Sequence, residues 1–353
     1  MIELRQDQLT FSFPEVHPEA RLTIVFQRTF RIPDDDRTYP LPPGLGKFPL
    51  QHVDDHAAQV PSTWLQHGGV MLPMYQSEAM WLRFCSSPIR RRRTSYPFAI
   101  KVATGKQCAV SGKQWHEGLR RGPQSYLVVP GQPWLDGYVV KKGVIRQFVA
   151  MPLGAGYSAE EQITGKAEHG GLQLAVYPMK RDVFERRFPE KPEEDFPGMV
   201  RSFCFSSAAT PFAGRSLRAK ADMGLAPGGK MRQEIYNDPY DAEDWRLDAS
   251  SRCFVHLCNS LVWQSIAGTA PPHPAPTSKQ YTDAGLPWFD YYDDNATAVD
   301  GGPALANLKS VAVLSEEKGE AVLPENEPVT PENLVVYRQG LKRGQVRDGV
   351  SSW

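Results

Sequence analysis

The stretch EHGGLQLAVY (168–177) sets a carboxylate and an imidazole directly before two glycines and an apolar run. An earlier stretch, HGGVMLPMY (67–75), has the same order of His-Gly-Gly, an aliphatic residue, a Leu and a Tyr. Paired glycines before an apolar run supply a turn with positive φ or a close approach of two backbones, so each string predicts the start of a strand. The recurrence predicts matching turns in a pseudo-repeated architecture.

The same strings allow a chemical interpretation. A His-Gly-Gly before an apolar run resembles the oxyanion loop of lipases and esterases, but the chain has no G-x-S-x-G nucleophile elbow. Glu168 precedes His169, whereas Gln66 precedes His67. If either string is catalytic, we expect the chemistry at Glu168 and His169, where a carboxylate can orient an imidazole, with His67 as a further candidate.

Length and composition exclude several classes of protein. The 353 residues suggest about two domains. Lys plus Arg and Asp plus Glu number 40 each, so no net charge favours nucleic acid or an anionic membrane surface. The five cysteines form no CxxC pair and predict neither a disulfide framework nor a four-cysteine zinc site. Because no apolar run approaches the roughly 18 residues of a membrane span and no signal peptide is recognisable, we expect a soluble, cytoplasmic protein.

The pattern of apolar residues predicts an α+β fold, mostly antiparallel β, with short helices and long ordered loops rich in Pro and Gly. The 29 glycines and 31 prolines interrupt the chain too often for long helices. Turns are expected at Asp136-Gly137 and Lys142-Gly143, and short helices within 157–165, with Ser158 and Glu161 as a capping box, and within 180–188. Segments rich in β-branched and aromatic residues predict strands at 20–32, 78–84, 96–105, 125–131 and 134–151, and a strand or hairpin at 251–268.

The segment PEKPEEDFPG (189–198) is the best candidate for a linker, because it has three prolines, four carboxylates and little apolar surface to bury. It divides the chain into a β-rich lobe at 1–188 and a second β-rich lobe at 199–314. Residues 315–353 form a polar tail that is predicted either to dock or to be disordered.

Several blocks of the sequence are similar to one family. They are YPLPPGLGKFPL (39–50), GGVMLPMYQSEAMWLRF (68–84), FVAMPLGAGYSAEEQITGKAEHGGLQLAVYP (148–178), APGGKMRQEIYNDPYDAEDW (226–245) and YTDAGLPWFDYYDD (281–294). They resemble uncharacterised bacterial and fungal proteins that are often labelled integral membrane proteins. The resemblance implies no established activity, cofactor or catalytic residue, and its membrane label disagrees with the hydropathy pattern.

Two further motifs point to chemistry but lack an essential part. GLAPGGK (224–230) fits the start of a phosphate-binding P-loop, yet Met231 stands where a Ser or Thr should bind magnesium, so an ordinary surface loop is expected. CFVHLC (253–258) contains three metal-ligand side chains, but strand alternation places only His256 and Cys258 on one face. We therefore expect a buried strand there, and no metal or cofactor site.

GLPWFDYYDD (285–294) has the densest mixture of aromatic and acidic groups in the chain. The rings either anchor a loop to the core or form the wall of a recognition groove. The predicted ligand-binding residues are Trp288, Phe289, Asp290, Tyr291, Tyr292 and Asp293.

The sequence thus predicts a non-catalytic binding or interaction scaffold that uses this aromatic and acidic groove. Its partner would be an unknown protein or small molecule, not nucleic acid and not a membrane, since the basic run RRRR (90–93) has no interleaved aromatic residues. The alternative is a hydrolase-type enzyme with Glu168 and His169 in a cleft, together with Asp290 and Asp293.

Overall fold

The computed structural model of the chain describes residues 1–191, 221–293, 296–321 and 326–339. Strands dominate, and most of them pair antiparallel, which confirms the predicted α+β class. The first eleven strands are β1 (Ile2–Arg5), β2 (Gln8–Ser12), β3 (Arg21–Thr29), β4 (Thr38–Tyr39), β5 (Gln51–His52), β6 (Val70–Met74), β7 (Ala79–Ser86), β8 (Pro88–Ile89), β9 (Thr94–Ser95), β10 (Phe98–Thr104) and β11 (Gln107–Cys108). The later strands are β12 (Leu127–Val129), β13 (Trp134–Leu135), β14 (Gly137–Lys141), β15 (Val144–Pro152), β16 (Leu172–Pro178), β17 (Asp222–Arg232), β18 (Ser251–Asn259), β19 (Trp288–Asp293) and β20 (Leu334–Gln339).

Sixteen of these strands form one sheet, with the order β1-β2-β3-β7-β15-β17-β18-β16-β10-β11 along its main path. Parallel pairing is confined to β4 with β17, β6 with β18, and β19 with β20 among the described strands. The pairing of β18 with both β16 and β6 brings the strands that follow the two His-Gly-Gly strings to the same place in the sheet.

The two predicted lobes contribute to the same sheet. Strands β17 and β18, which follow the predicted linker, lie between β15 and β16, which precede it. The largest cluster of buried apolar side chains also draws on both ranges, with Phe98 and Phe148 from the first and Met231 and Trp245 from the second. Linker residues 192–198 lie outside the described part of the chain.

The helices are short, as the frequent glycines and prolines predict. The predicted capping box is present, because the Ser158 side chain accepts a hydrogen bond from the Glu161 amide and Glu161 bonds back, while Gly165 ends this helix in the left-handed conformation. The helices are α1 (Ser62–His67), α2 (Ala159–Thr164), α3 (Arg181–Arg187), α4 (Ser260–Ala267), α5 (Ser278–Asp283), α6 (Pro303–Ala306) and α7 (Val311–Glu317). No helix among the described residues is long and apolar enough to cross a membrane.

Three local predictions were wrong. GLAPGGK is not a surface loop but the middle of β17, with every residue except Lys230 buried. The second half of 251–268 is a helix rather than a strand, because the Asn259 side chain caps the Leu261 amide and begins α4. Asp136-Gly137 is not a hairpin turn, because the strands on either side of it, β13 and β14, pair with β7 and β15 and not with each other. The turn predicted at Lys142-Gly143 is confirmed, since it joins β14 to β15.

Candidate functional site

The two glycines of each His-Gly-Gly string form a turn that leads directly into a strand, as predicted, although His67 is the last residue of helix α1 and His169 is not helical. Gly68 and Gly69 have φ of 61° and 89° before β6, and Gly170 and Gly171 have φ of 55° and 50° before β16. Glycine adopts these positive values without the steric cost that a β-carbon brings. The wider pseudo-repeat stays a prediction. The strands after the two turns differ in direction, because β6 runs parallel to β18 whereas β16 runs antiparallel to it.

The second glycine of each turn lies against the backbone of β18. A β-carbon on Gly69 would lie 2.2 Å from the Phe254 carbonyl oxygen, and one on Gly171 would lie 2.6 Å from the Val255 carbonyl oxygen. Both distances are too short for any side chain, so glycine is needed at each position for the turns to dock. This docking brings together two histidines that are far apart in the sequence.

Three imidazoles meet beside β18 and form what we call the histidine cluster: His67, His169 and His256. The ring centroid of His67 lies 6.1 Å from that of His169 and 6.2 Å from that of His256. Aromatic neighbours hold the rings in place, because His67 stacks on Phe254 at 4.5 Å and His256 stacks on Trp64 at 4.9 Å. Two of the three rings therefore pack on apolar aromatic side chains.

Burial favours the neutral form of all three rings in the histidine cluster. His256 is 3% exposed, and burial lowers its pKa to about 4 even though its Nε2 atom lies 3.0 Å from the Gly68 carbonyl oxygen. Burial, and then the charge of Lys106, also lower the pKa of His67 and of His169 below the ordinary value. No group of three or more His, Cys, Asp and Glu among the described residues is arranged to hold a metal ion.

A cavity of about 410 Å³ lies on the side of the cluster formed by His169. Its volume is within the range of roughly 300–1,000 Å³ that is usual for small-molecule sites. Three lysines contribute to its wall, and we call it the lysine cavity. It is lined by Gly105, Lys106, Gln107, Gly112, Lys113, Gln114, Glu160, Ile163, Thr164, Lys166, Glu168 and His169.

The buried carboxylate of Glu160 fixes the segment that carries Glu168 and His169. Its Oε1 atom accepts hydrogen bonds from the amides of Glu168 at 3.1 Å and His169 at 3.0 Å, and its Oε2 atom accepts one from Gly170 at 2.9 Å. Glu160 is 3% exposed, so these three donors compensate a carboxylate that has almost no contact with water. The sequence does not indicate this role, because a glutamate in the first turn of a short helix is expected to face solvent.

Lys106 enters the site from a strained turn. Gly105 and Lys106 have φ of 52° and 60° and form the two-residue connection between β10 and β11, which is the geometry of a type I′ turn. Gln173 ties this turn to the histidine loop, since its Oε1 atom accepts from the Lys106 amide at 2.6 Å and its Nε2 atom donates to the Gly170 carbonyl at 3.0 Å. Lysine is unfavourable at positive φ, and residues held in such a conformation are often found at functional sites.

The charges of the lysine cavity are not balanced. Glu168 lies 3.1 Å from the Lys166 ammonium and 3.9 Å from His169 Nε2, and the Glu160 carboxylate is held by backbone amides. Among the described residues, no carboxylate lies within ion-pair distance of the Lys106 or Lys113 ammonium. The lining therefore has three lysines and two carboxylates, a net charge of +1, and neither Lys106 nor Lys113 forms an ion pair within the described part of the chain.

Trp288, which was predicted to line an aromatic groove, is buried in the core. This residue is 0% exposed on β19, and its ring meets Phe30 at 5.1 Å in the core. Asp290 forms an ion pair with Arg232 at 2.8 Å, and the half-buried Tyr291 packs on Trp134 at 4.6 Å. Phe289, also half-buried, bridges to Leu41. The side chains of Tyr292 and Asp293 lie outside the described part of the structure.

The structure thus brings together some of the predicted residues and leaves others apart. His67, Glu168 and His169 lie near one another, whereas Asp290 is engaged by Arg232, and no residue of 288–291 lines the lysine cavity. Lys106 and Lys113 were not predicted at all. The only local signal for Lys106 was a Gly-Lys dipeptide between two strand-like segments.

No protein-family model, no curated protein and no solved structure matched this chain. The lysine cavity and the histidine cluster are therefore the features of the chain that bear on its function.

Proposed function

We propose that this protein binds a small anionic molecule in the lysine cavity. The proposal rests on Lys106 and Lys113, which line a cavity of about 410 Å³ and form no ion pair with a carboxylate among the described residues. A ligand that brings negative charge would compensate them, and the half-buried setting of Lys106 would make its contact stronger than one in water.

The left-handed conformation of Lys106 supports the same function. Asn or Gly suits a type I′ turn better than Lys does, so Lys106 lowers the stability of its own turn. Such a local cost is typical of residues that are retained for binding rather than for folding. The Gln173 bridge to Gly170 links this turn to the histidine loop, which keeps the ammonium and the imidazole of His169 on one wall.

This proposal keeps the predicted class of binding protein with a small-molecule partner, but it moves the site. The aromatic segment is a weaker candidate, because Trp288 is in the core and Asp290 is already paired with Arg232. A second cavity, of about 80 Å³ beside Glu78, is also a weaker candidate, since Arg28 already compensates that carboxylate at 2.8 Å.

The experiment is calorimetric titration of the purified protein with inorganic phosphate at constant ionic strength. We expect saturable binding that weakens by about tenfold or more in Lys106→Asn and in Lys113→Gln, since each lost charge contact is worth about 1.5–3 kcal/mol. Lys142→Gln is the matched control, because Lys142 is an exposed lysine of another hairpin turn, and its affinity should equal that of the unmodified protein. Equal affinity in all three variants would contradict the proposal.

The hydrolase alternative retains one supporting observation. His67 and His169 lie 6.1 Å apart, and the Glu168 carboxylate is 3.9 Å from His169 Nε2, so a general acid and a general base are near each other. Turnover of p-nitrophenyl phosphate or acetate that is abolished by His169→Gln and kept by the exposed control His52→Gln would support it. Phosphate binding without turnover of either substrate would contradict the hydrolase alternative and support the binding function.

A further inference from the structure

The charge state of His169 is set by its neighbours rather than by a hydrogen bond. Its Nδ1 atom is buried and has no hydrogen-bond partner among the described residues. The charged groups that act on the ring are Lys106 on the β10–β11 turn, which opposes protonation, and Glu160 and Glu168, which favour it. Burial has the largest effect and acts in the same direction as Lys106, so the balance without a ligand favours the neutral ring.

An anion in the lysine cavity would change that balance. It would compensate the Lys106 charge and place negative charge on the same wall as His169, and both effects favour the imidazolium. The other two rings of the cluster differ in this respect. His256 is almost fully buried against Trp64, and His67 is not among the residues that line the cavity.

The charges of the lining bear on the charge of the ligand. Three lysines and the two carboxylates Glu160 and Glu168 give the lining a net charge of +1 while His169 is neutral. A monoanion would leave either Lys106 or Lys113 without a partner. A dianion would give both a partner and bring one negative charge in excess, which one proton on His169 balances.

We infer that the lysine cavity takes a dianionic oxyanion together with one proton, which is carried by His169. This inference rests on the proposed anion-binding function and specifies its ligand. Sulfate, a phosphate monoester and a dicarboxylate share the required chemistry, which is two negative charges spread over oxygen atoms. Binding and proton uptake are then linked, so each strengthens the other.

The sign of the pH dependence follows from this linkage. In the free protein, the pKa of His169 lies below its ordinary value because of burial and Lys106. A bound dianion raises the pKa of His169, so the affinity increases as the pH falls between the two pKa values. For one linked proton, the limit is about tenfold in affinity per pH unit within that window.

The test uses sulfate, which stays dianionic throughout this pH range, and methyl sulfate as a monoanion of similar shape. Calorimetric titrations at pH 5.5 and pH 8.0, at constant ionic strength, should give a sulfate affinity that is about fivefold or more higher at the lower pH. Sulfate should bind more tightly than methyl sulfate at both values. His169→Gln should still bind sulfate but lose the pH dependence, and the exposed control His52→Gln should keep it.

A measurement on the unmodified protein covers the case in which a variant does not fold. The C2 proton of His169, followed by NMR against pH, should show a higher pKa with saturating sulfate than without it. A flat pH profile with sulfate bound, or a pH dependence that disappears in His67→Gln and not in His169→Gln, would overturn the proton inference and leave anion binding in place. Equal affinities for sulfate and methyl sulfate would overturn the dianion part. If neither these anions nor phosphate bound, the proposed function itself would fail.

Discussion

The imidazole rings of His67 and His169 lie 6.1 Å apart, at an angle of 61°, because two separate Gly-Gly turns dock on the same strand. The strand is β18, whose backbone leaves no room for a side chain at Gly69 or Gly171. The geometry of the histidine cluster therefore depends on glycines that carry no functional group themselves.

Replacing Gly69 or Gly171, the glycines that dock on β18, should lower the free energy of unfolding by more than a positive φ alone would cause. Gly165 also has a positive φ, of 72°, but a β-carbon there would meet nothing within 4 Å, so Gly165→Ala should lower the free energy of unfolding by about 1–2 kcal/mol. Gly171→Ala adds a contact of 2.6 Å with the Val255 carbonyl oxygen and should be clearly more destabilising. Urea denaturation of the two variants compares them, and equal losses would show that Gly171 is not tightly docked on β18.

Removing the Glu160 carboxylate should loosen the histidine loop. Glu160→Ala leaves three amide donors, at residues 168, 169 and 170, without their acceptor, and we expect a loss of about 2–4 kcal/mol in unfolding free energy. The side chain of Glu185 is 40% exposed, and among the described residues its ion pair is with Arg181 on the same helix, so Glu185→Ala should leave the stability nearly unchanged. Amide hydrogen exchange should also accelerate at 168–170 in Glu160→Ala. Unchanged protection there would contradict the assigned role.

Lys106→Asn should stabilise the fold while it weakens anion binding. Lys106 has a φ of 60°, and Asn tolerates this conformation better than Lys, so a gain of about 0.5–1 kcal/mol is expected. Thermal and urea unfolding in a buffer without multivalent anions measure this gain. A loss of stability would mean that the lysine side chain makes a structural contribution that outweighs the strain of its backbone.

Trp288 should behave as a core residue and not as a ligand contact. Trp288→Ala removes a fully buried ring and should lower the unfolding free energy by about 3–5 kcal/mol. Tyr337 is 51% exposed and stacks on Phe289 at 5.8 Å, so Tyr337→Ala should cost less than about 1 kcal/mol. If Trp288→Ala were folded with nearly native stability, the assignment of this ring to the core would be wrong.

Asp136 should make the protein less stable as the pH rises through neutrality. Complete burial raises the pKa of Asp136 to about 7, although Gln233 donates a hydrogen bond of 2.7 Å to its carboxyl group. The folded state thus prefers the protonated acid, so this contribution to stability is fully present below about pH 4, the pKa of an unfolded Asp, and is lost as the pH rises toward 7. Asp136→Asn cannot ionise and should lose less stability than the unmodified protein between pH 5 and pH 8 in urea titrations. Parallel pH profiles for the two proteins would rule out ionisation of Asp136 in this range.

Local sequence signals predicted the elements that are bounded by their own capping or turn residues. The Ser158 and Glu161 capping box, the Lys142-Gly143 turn and both Gly-Gly turns are where the sequence places them, because each depends on residues close together in the chain. GLAPGGK was misread for the opposite reason. Its glycines look like loop residues, but a β-carbon on Gly229 would lie 2.2 Å from the Pro33 carbonyl oxygen, so the strand needs glycine for a contact made far away in the sequence.

The candidate site was predicted only in part, for a similar reason. Glu168 and His169 were recognisable as neighbours in the chain, and His67 was found through the repeated string. Lys106 reaches the cavity through the pairing of β10 with β16, which no short motif encodes. Segment 288–293 was misjudged at Trp288, because the composition of a short segment does not reveal which of its rings faces the core.

The position of β18 has a consequence for the order of events during synthesis. Both Gly-Gly turns, at 67–69 and 169–171, precede residues 251–259 in the chain, yet both dock on them. A nascent chain therefore exposes two undocked turns outside the ribosome until β18 emerges, and long-range pairing of this kind folds slowly. The histidine cluster is assembled late, so a truncated translation product that stops before residue 251 lacks the surface that brings His67 to His169.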